Sequence, residues 1–212
     1  MKNFFFVKEN QTEYFDFCQK SRDFYDFLIE QDRSSFDKDS FIERPYSFQM
    51  TREFAEGLGM DLSIMDSSPY FSNIFRFFFT HPTKSWLPPH LDTITDKGVC
   101  PASMNFPLRN CDERTETLWQ KVVSGKPNLT QNLGGEIKSK IAANFTPEAK
   151  ECELEVVERA FFFDDQPHLF RTNRWHEVVN TSGELRLIST ILFDPPMLWE
   201  DIVDHFKGKE II

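Results

Sequence analysis

The front third of the chain carries a helical pattern of apolar residues. Over residues 13–32, aromatic and aliphatic side chains recur at the spacing of one helix face, with polar residues between them. A second, short helix is predicted over residues 51–58, because Thr51 suits an N-cap and Gly59 can end the helix. We therefore expect residues 1–66 to form a helical support layer.

The pattern changes near Tyr70 to short runs of β-favouring residues separated by turn residues. Beyond these runs, residues 196–206 keep Leu198, Ile202 and Phe206 on one side, which predicts a closing helix. Helices followed by about eight short strands, without regular strand–helix alternation, indicate a mainly β antiparallel sandwich or jelly roll with helices packed on one sheet. The predicted strands lie at residues 74–79, 86–92, 102–108, 115–119, 155–163, 169–171, 175–180 and 185–193.

The length of the chain favours one domain. With 212 residues and 40% hydrophobic residues, it can bury one core, and no Pro-, Gly- or Ser-rich linker divides it. We expect a single domain over residues 1–212, with the β core over 70–195 and a C-terminal helix in 196–212. Residues 122–150 are polar and contain Gly134-Gly135, so they are interpreted as an insertion or a lid within that core.

Composition excludes several classes of function. The net charge is −10 and the basic residues are scattered, which argues against nucleic acid as a partner. The four cysteines form no Cys-x-x-Cys pair, so we expect reduced thiols rather than a zinc knuckle or a redox dithiol. No apolar run reaches the length of a signal-peptide core or a membrane span, which predicts a cytoplasmic protein without a membrane partner.

The first candidate site lies at His90-Leu91-Asp92, directly after Pro88-Pro89. If this segment is a strand, the side chains of His90 and Asp92 project to one face about 7 Å apart and can reach a shared metal. Two histidines and one carboxylate are the ligand set that holds Fe(II) with coordination positions open. A lone His-x-Asp is common by chance, so a second histidine is needed.

His176 supplies that second histidine. The turn-forming residues 180–183 predict a hairpin that places His176 across from Arg186 on one face. Two polar side chains on an interior face are costly without partners, and a metal and a dianionic cosubstrate would be such partners. A core histidine and an ordinary ion pair are the alternatives for these two residues. His168 and His81 are rival ligands, and His168 is expected at the rim because it follows an acidic turn.

These residues resemble a known family. His90-x-Asp92, the distal His176 and Arg186 ten residues later are similar to the motif of the Fe(II)- and 2-oxoglutarate-dependent oxygenases, over roughly residues 70–195. Within that superfamily, the stretch from His176 through Arg186 to Asp194-Pro195 resembles the aspartyl/asparaginyl hydroxylase-like and prolyl hydroxylase-like branch. The aspartyl hydroxylase group often lacks the acidic iron ligand, whereas this chain has Asp92.

The resemblance implies a double-stranded β-helix, the cupin-like form of the jelly roll. It also implies that His90, Asp92 and His176 bind Fe(II) and that Arg186 binds the distal carboxylate of 2-oxoglutarate. Many relatives carry a serine two residues after the arginine, where this chain has Ile188.

A second contact to that carboxylate must therefore come from elsewhere in the chain. We expect it from Thr190. Asn105 is a further candidate contact to the cosubstrate or the substrate, although a buried asparagine bonding backbone explains it equally well.

The expected activity is that of a dioxygenase which uses O2 and hydroxylates an amino-acid, peptide or small-molecule substrate, with release of succinate and CO2. Two alternatives stay open. One is a cupin-like metalloenzyme that uses no 2-oxoglutarate, against which Arg186 argues. The other is a metal-free jelly-roll binding module in which the three ligand candidates coincide by chance.

Overall fold

The computed structural model describes residues 2–31, 47–80, 89–91, 94–95, 98–125, 129–131, 143–145, 152–194 and 197–212. The helices in these ranges are α1 (Thr12–Gln31), α2 (Arg52–Gly57) and α3 (Trp199–Gly208), with a 3-10 turn at Ser63–Ser67. The strands are β1 (Phe4–Phe6), β2 (Ser47–Thr51), β3 (Phe71–Thr80), β4 (His90–Leu91), β5 (Ile94–Thr95), β6 (Gly98–Val99), β7 (Ala102–Arg109), β8 (Thr115–Ser124), β9 (Leu129–Gln131), β10 (Ala143–Phe145), β11 (Glu153–Phe161), β12 (His168–Arg171), β13 (Trp175–Asn180) and β14 (Arg186–Phe193).

Two six-stranded antiparallel sheets form the fold. The first sheet has the order β1-β12-β7-β14-β3-β2, and the second has the order β11-β8-β13-β4-β10-β9. The sheets face each other, since Trp119 of the second sheet stacks on Phe4 and packs against Phe170 of the first, with ring centroids 5.7 and 4.8 Å apart. The prediction of a mainly β, jelly-roll fold of the double-stranded β-helix type is confirmed.

The helices cover the outer face of the first sheet. Phe17 of α1 packs edge-on against Phe106 of β7 and Phe75 of β3, with ring centroids 4.6 and 6.0 Å apart. Phe206 of α3 packs in the same way against Phe193 of β14 at 5.7 Å. Side chains that alternate along β3, β7 and β14 therefore face the helices on one side and the second sheet on the other. The predicted packing of helices on one sheet is confirmed.

Residues 1–66, predicted as a helical support layer, contain two strands as well as the helices. β1 and β2 belong to the first sheet, where β1 pairs with β12 and β2 pairs with β3. β1 is too short to show an alternating pattern, although Phe4-Phe5-Phe6 is strongly β-favouring, whereas Ser47–Thr51 does alternate polar and apolar residues. The short helix is placed correctly, because the backbone N of Phe54 donates to the Thr51 hydroxyl at 3.3 Å.

The segment 122–150 does not lie wholly outside the β core. β8 continues to Ser124, and β9 and β10 extend the second sheet beyond β4. The short helix predicted near residues 147–151 lies outside the described residues. Cys18, Cys100, Cys111 and Cys152 are free thiols, as predicted, and three of them are buried. Within the described ranges, no helix is long and apolar enough to cross a membrane.

The aromatic layer between α1 and the first sheet predicts the largest effects on stability. We expect Phe106→Ala to lower the free energy of unfolding by about 3–5 kcal/mol, because a fully buried ring leaves a cavity. Urea denaturation followed by circular dichroism measures this change. Phe54→Ala is the control, because the Phe54 side chain is 57% exposed and its loss should cost less than about 0.5 kcal/mol. Equal losses in the two variants would contradict this packing.

Candidate functional site

His90 and His176 are direct neighbours in the second sheet. β4 pairs with β13 in a register that places His176 opposite His90, and the two ring centroids are 4.4 Å apart. Both side chains are only 3% exposed. His176 also pairs with Trp119, which faces the first sheet, so the two imidazoles occupy the space between the sheets.

The two imidazoles fit adjacent positions of one metal ion. His176 Nδ1 lies 2.8 Å from the backbone oxygen of Arg174, so Nδ1 donates to that oxygen and Nε2 is the nitrogen that carries the lone pair. Metal–imidazole bonds of about 2.1 Å at right angles would place two ring centroids roughly 4.5 Å apart. The observed 4.4 Å agrees with this geometry.

The carboxylate ligand falls outside the part of the chain that the structure describes. The described residues of β4 are His90 and Leu91, and Asp92 follows them directly in the sequence. Within the described ranges, no group of three or more His, Cys, Asp or Glu residues could hold a metal ion. Asp92 therefore stays a prediction, as does His81, which also lies outside the described residues.

The predicted hairpin between His176 and Arg186 is wrong. β13 pairs with β8 and β4 in the second sheet, whereas β14 pairs with β3 and β7 in the first. Asn180 directs this crossing, because its Nδ2 donates to the backbone oxygens of Thr80 and Glu184, both at 2.8 Å. The turn residues therefore connect two sheets, and His176 and Arg186 lie on opposite walls of the sandwich.

Arg186 is a buried cation on the inner face of the first sheet. Its side chain is 3% exposed, and its Nη1 donates to the Thr80 hydroxyl at 3.4 Å. Among the described residues, its Nε has no hydrogen-bond partner. The strand register places Arg186 and His168 on the same face, and the Arg186 charge contributes to lowering the pKa of His168. A buried guanidinium with an unmet donor is costly and is suited to an anionic ligand.

A row of polar side chains crosses the first sheet on this inner face. His168 of β12 pairs with Asn105 of β7, Asn105 pairs with Thr190 of β14, and Thr190 pairs with Arg76 of β3. All four residues are buried. Arg76 Nε donates to the Thr190 hydroxyl at 3.3 Å. Asn105 and Thr190, both predicted to contact the cosubstrate, are therefore neighbours on one wall.

Phe170 connects this row to the histidine pair. Its ring centroid is 5.1 Å from that of His176 and 6.2 Å from that of His168. The pair on the second sheet and the polar row on the first therefore belong to one interior space.

The sequence predicts His168 at the rim of the site, but the structure places it in the interior. It is fully buried, and Phe162 stacks on its ring with centroids 3.7 Å apart. Burial lowers the pKa of His168 to about 3, so its ring is neutral near pH 7. The acidic turn before it is exposed, but β12 begins at His168 and carries the ring inside.

Sequence analysis does not identify Arg76 as a candidate site residue, although its place in an aromatic strand is unusual for a charged residue. It is a charged residue inside the aromatic run Phe75 to Phe79, in a strand whose two faces are both buried. Its guanidinium lies over the Phe78 ring, with the Cζ atom 5.5 Å from the centroid. A charge in such a run indicates an interior polar site rather than a core position.

Solved structures of similar arrangement include the ribosomal oxygenase YcfD of Escherichia coli, at 11% identity, 78% coverage of this chain and a TM-score of 0.38. This chain spans only 37% of the length of that YcfD chain. SnoK, a non-heme alpha ketoglutarate dependent carbocyclase from nogalamycin biosynthesis, matches at 11% identity, with 96% of this chain and 86% of that chain covered and a TM-score of 0.43.

The epimerase SnoN, in complex with Fe3+, alpha ketoglutarate and nogalamycin RO, matches at 14% identity, with 91% of this chain and 79% of that chain covered and a TM-score of 0.38. No family model and no curated protein sequence matches the chain. The three neighbours are 11–14% identical to this chain, and their TM-scores lie between 0.38 and 0.43.

The neutral state of His168 predicts a specific acid sensitivity. Its folded pKa of about 3 is below the unfolded value of about 6.5, so the unfolded chain binds the proton more strongly. The stabilisation is therefore complete above pH 6.5 and is lost as the pH falls toward 3. Between about pH 6 and pH 4, we expect the free energy of unfolding to fall about 1.4 kcal/mol per pH unit more steeply than in His168→Gln. Urea denaturation at several pH values measures both slopes, and equal slopes would contradict a buried neutral ring.

Proposed function

We propose that this protein is an Fe(II)- and 2-oxoglutarate-dependent dioxygenase that hydroxylates an amino-acid, peptide or small-molecule substrate. In this proposal His90, Asp92 and His176 bind the metal. Arg186 binds the distal carboxylate of 2-oxoglutarate, with Asn105 and Thr190 as further contacts. The bound metal and cosubstrate supply the oxidation by O2, with release of succinate and CO2.

The buried guanidinium of Arg186 is the observation that carries the proposal. It lies on the inner wall opposite the His90–His176 pair, and its Nε lacks a hydrogen-bond partner among the described residues. A carboxylate is the ligand that satisfies a guanidinium best, because two parallel N–H donors match its two oxygens. A dicarboxylate that reaches both sites would bind the metal at the histidine pair with one end and accept from the Arg186 guanidinium with the other.

The chain itself orients the metal ligands and the cosubstrate, supplies a positive charge and excludes water. Nδ1 of His176 donates to a backbone oxygen, which fixes the ring and makes Nε2 the nitrogen that would bind the metal. Arg186 fixes one end of the cosubstrate, so that the other end is held at the metal. Trp119 and Phe170 are buried beside His176 and keep bulk water away from it.

Two other functions use the same architecture. A cupin-like metalloenzyme without 2-oxoglutarate would bind metal but not the cosubstrate, and a metal-free binding module would bind neither. A calorimetric titration of the Mn(II)-loaded protein with N-oxalylglycine, an unreactive analogue of 2-oxoglutarate, separates these cases. Metal binding without analogue binding would favour the first alternative, and the absence of both would favour the second.

The role of Arg186 predicts a loss of cosubstrate affinity in Arg186→Met. Methionine keeps much of the apolar bulk but removes the charge, so we expect the Kd for 2-oxoglutarate to rise about 100-fold, or ~2.7 kcal/mol. Arg171→Met is the matched control, because the Arg171 guanidinium lies over Trp199 on the helix side of the first sheet. Calorimetry on the Mn(II)-loaded proteins measures both, and unchanged affinity in Arg186→Met would contradict the assignment.

The role of His176 predicts loss of the metal in His176→Ala. Removal of one of three ligands should abolish stoichiometric Fe(II) binding, measured by elemental analysis after anaerobic loading, and succinate formation with it. His205→Ala is the control, because His205 lies in α3, where its ring packs against Tyr70. Full metal content in His176→Ala, with the fold intact by circular dichroism, would overturn the site.

A further inference from the structure

The carboxamide of Asn105 has two possible orientations, and one neighbour selects between them. Its Oδ1 accepts from the Ser103 hydroxyl at 2.7 Å, and its Nδ2 lies 3.4 Å from His168 Nε2. A hydroxyl accepts as readily as it donates, so Ser103 tolerates either orientation. The selection must therefore come from His168.

The protonation of His168 is fixed by its surroundings. Nδ1 lies 3.0 Å from the backbone oxygen of Gln166, which can only accept, so Nδ1 carries the hydrogen. The ring is fully buried, and the nearby charge of Arg186 opposes a second proton. Nε2 is then a pure acceptor, which bonds the amide nitrogen of Asn105 and repels its oxygen.

The register of the strands places Asn105 and Arg186 on the same face of the first sheet. Along β7 and β14, Ser103 is level with Leu192, and Pro107 is level with Ile188, next to the Arg186 end of β14. Asn105 lies between these two residues, level with Thr190, which shares the inner face of β14 with Arg186. The amide oxygen is held toward Ser103 and the nitrogen toward His168. One hydrogen of the nitrogen serves His168, and the second can serve a ligand.

We infer that His168 is a positioning residue, which orients Asn105 so that the amide N–H and the Arg186 guanidinium together bind the distal carboxylate of 2-oxoglutarate. This inference rests on the proposed function and deepens it. A carboxylate at this place would accept from the amide N–H and from the guanidinium. In the reversed orientation the amide oxygen would face the anion and repel it.

Two substitutions of His168 separate its two ring nitrogens. In His168→Gln, the side-chain oxygen can take the place of Nε2 and accept from Asn105. In His168→Asn, the shorter side chain can replace Nδ1 as donor to Gln166 but offers no acceptor to Asn105. We expect the Kd of the Mn(II)-loaded protein for 2-oxoglutarate to rise about 10-fold in His168→Asn and less than about 2-fold in His168→Gln. His205→Asn is the control for a histidine outside the sandwich.

A second measurement needs neither metal nor cosubstrate. In 15N-labelled protein, the side-chain NH2 signals of Asn105, assigned by their loss in Asn105→Asp, report its hydrogen bond to His168. We expect these signals to shift in His168→Asn and to stay close to their original positions in His168→Gln. A merely structural role of His168 would predict equal effects of the two substitutions.

The outcomes distinguish this inference from the proposed function. Equal 2-oxoglutarate affinity in wild type and His168→Asn, or equal weakening in both His168 variants, would overturn the inference and leave the proposed function standing. A wild-type protein that binds Mn(II) but no 2-oxoglutarate would overturn the proposed function. In that case the NMR comparison still tests whether His168 orients Asn105. Unmoved Asn105 signals in His168→Asn would overturn the orientation of Asn105 by His168.

Discussion

An ionised guanidinium buried between two β-sheets is the constraint on which the interior of this protein depends. Burial of such a group costs several kcal/mol unless its donors are met. Near Arg186 the protein places groups that stay neutral: the Thr80 hydroxyl, the His168 ring and the Cys111 thiol, whose pKa burial raises to about 11. Among the described residues, no carboxylate forms an ion pair with Arg186. The positive charge is therefore available to a ligand.

Each of the two sheets contributes a different part of the candidate site. The second sheet contributes the imidazole pair through β4 and β13, and the first sheet contributes the cation and the polar row through β3, β7, β12 and β14. The helices pack on the outer face of the first sheet, so its inner face can carry the polar row. The alternation of side chains along each strand lets one strand serve both faces, as Asn105 and Phe106 show in β7.

Much of the fold could be predicted from the sequence, because strand alternation and helix capping are local. The strands at residues 102–108 and 175–180 and the cap at Thr51 are examples. The pairing of strands is not local. The turn after Asn180 has hairpin chemistry, yet the side chain of Asn180 bonds to Thr80, a hundred positions away, and the chain crosses to the other sheet. The burial of His168 likewise depends on Phe162, Phe6 and Asn105, which only the folded chain brings to it.

The position of β4 has a consequence for the second sheet. Its described residues lie between β13 and β10, with His90 opposite both His176 and Asn144. The pairing with these two strands therefore fixes the location of His90. Any ligand that bridges the two imidazoles would tie β4 to β13. By thermodynamic reciprocity, the docking of the distant β9–β10 hairpin and the affinity for that ligand would then rise and fall together.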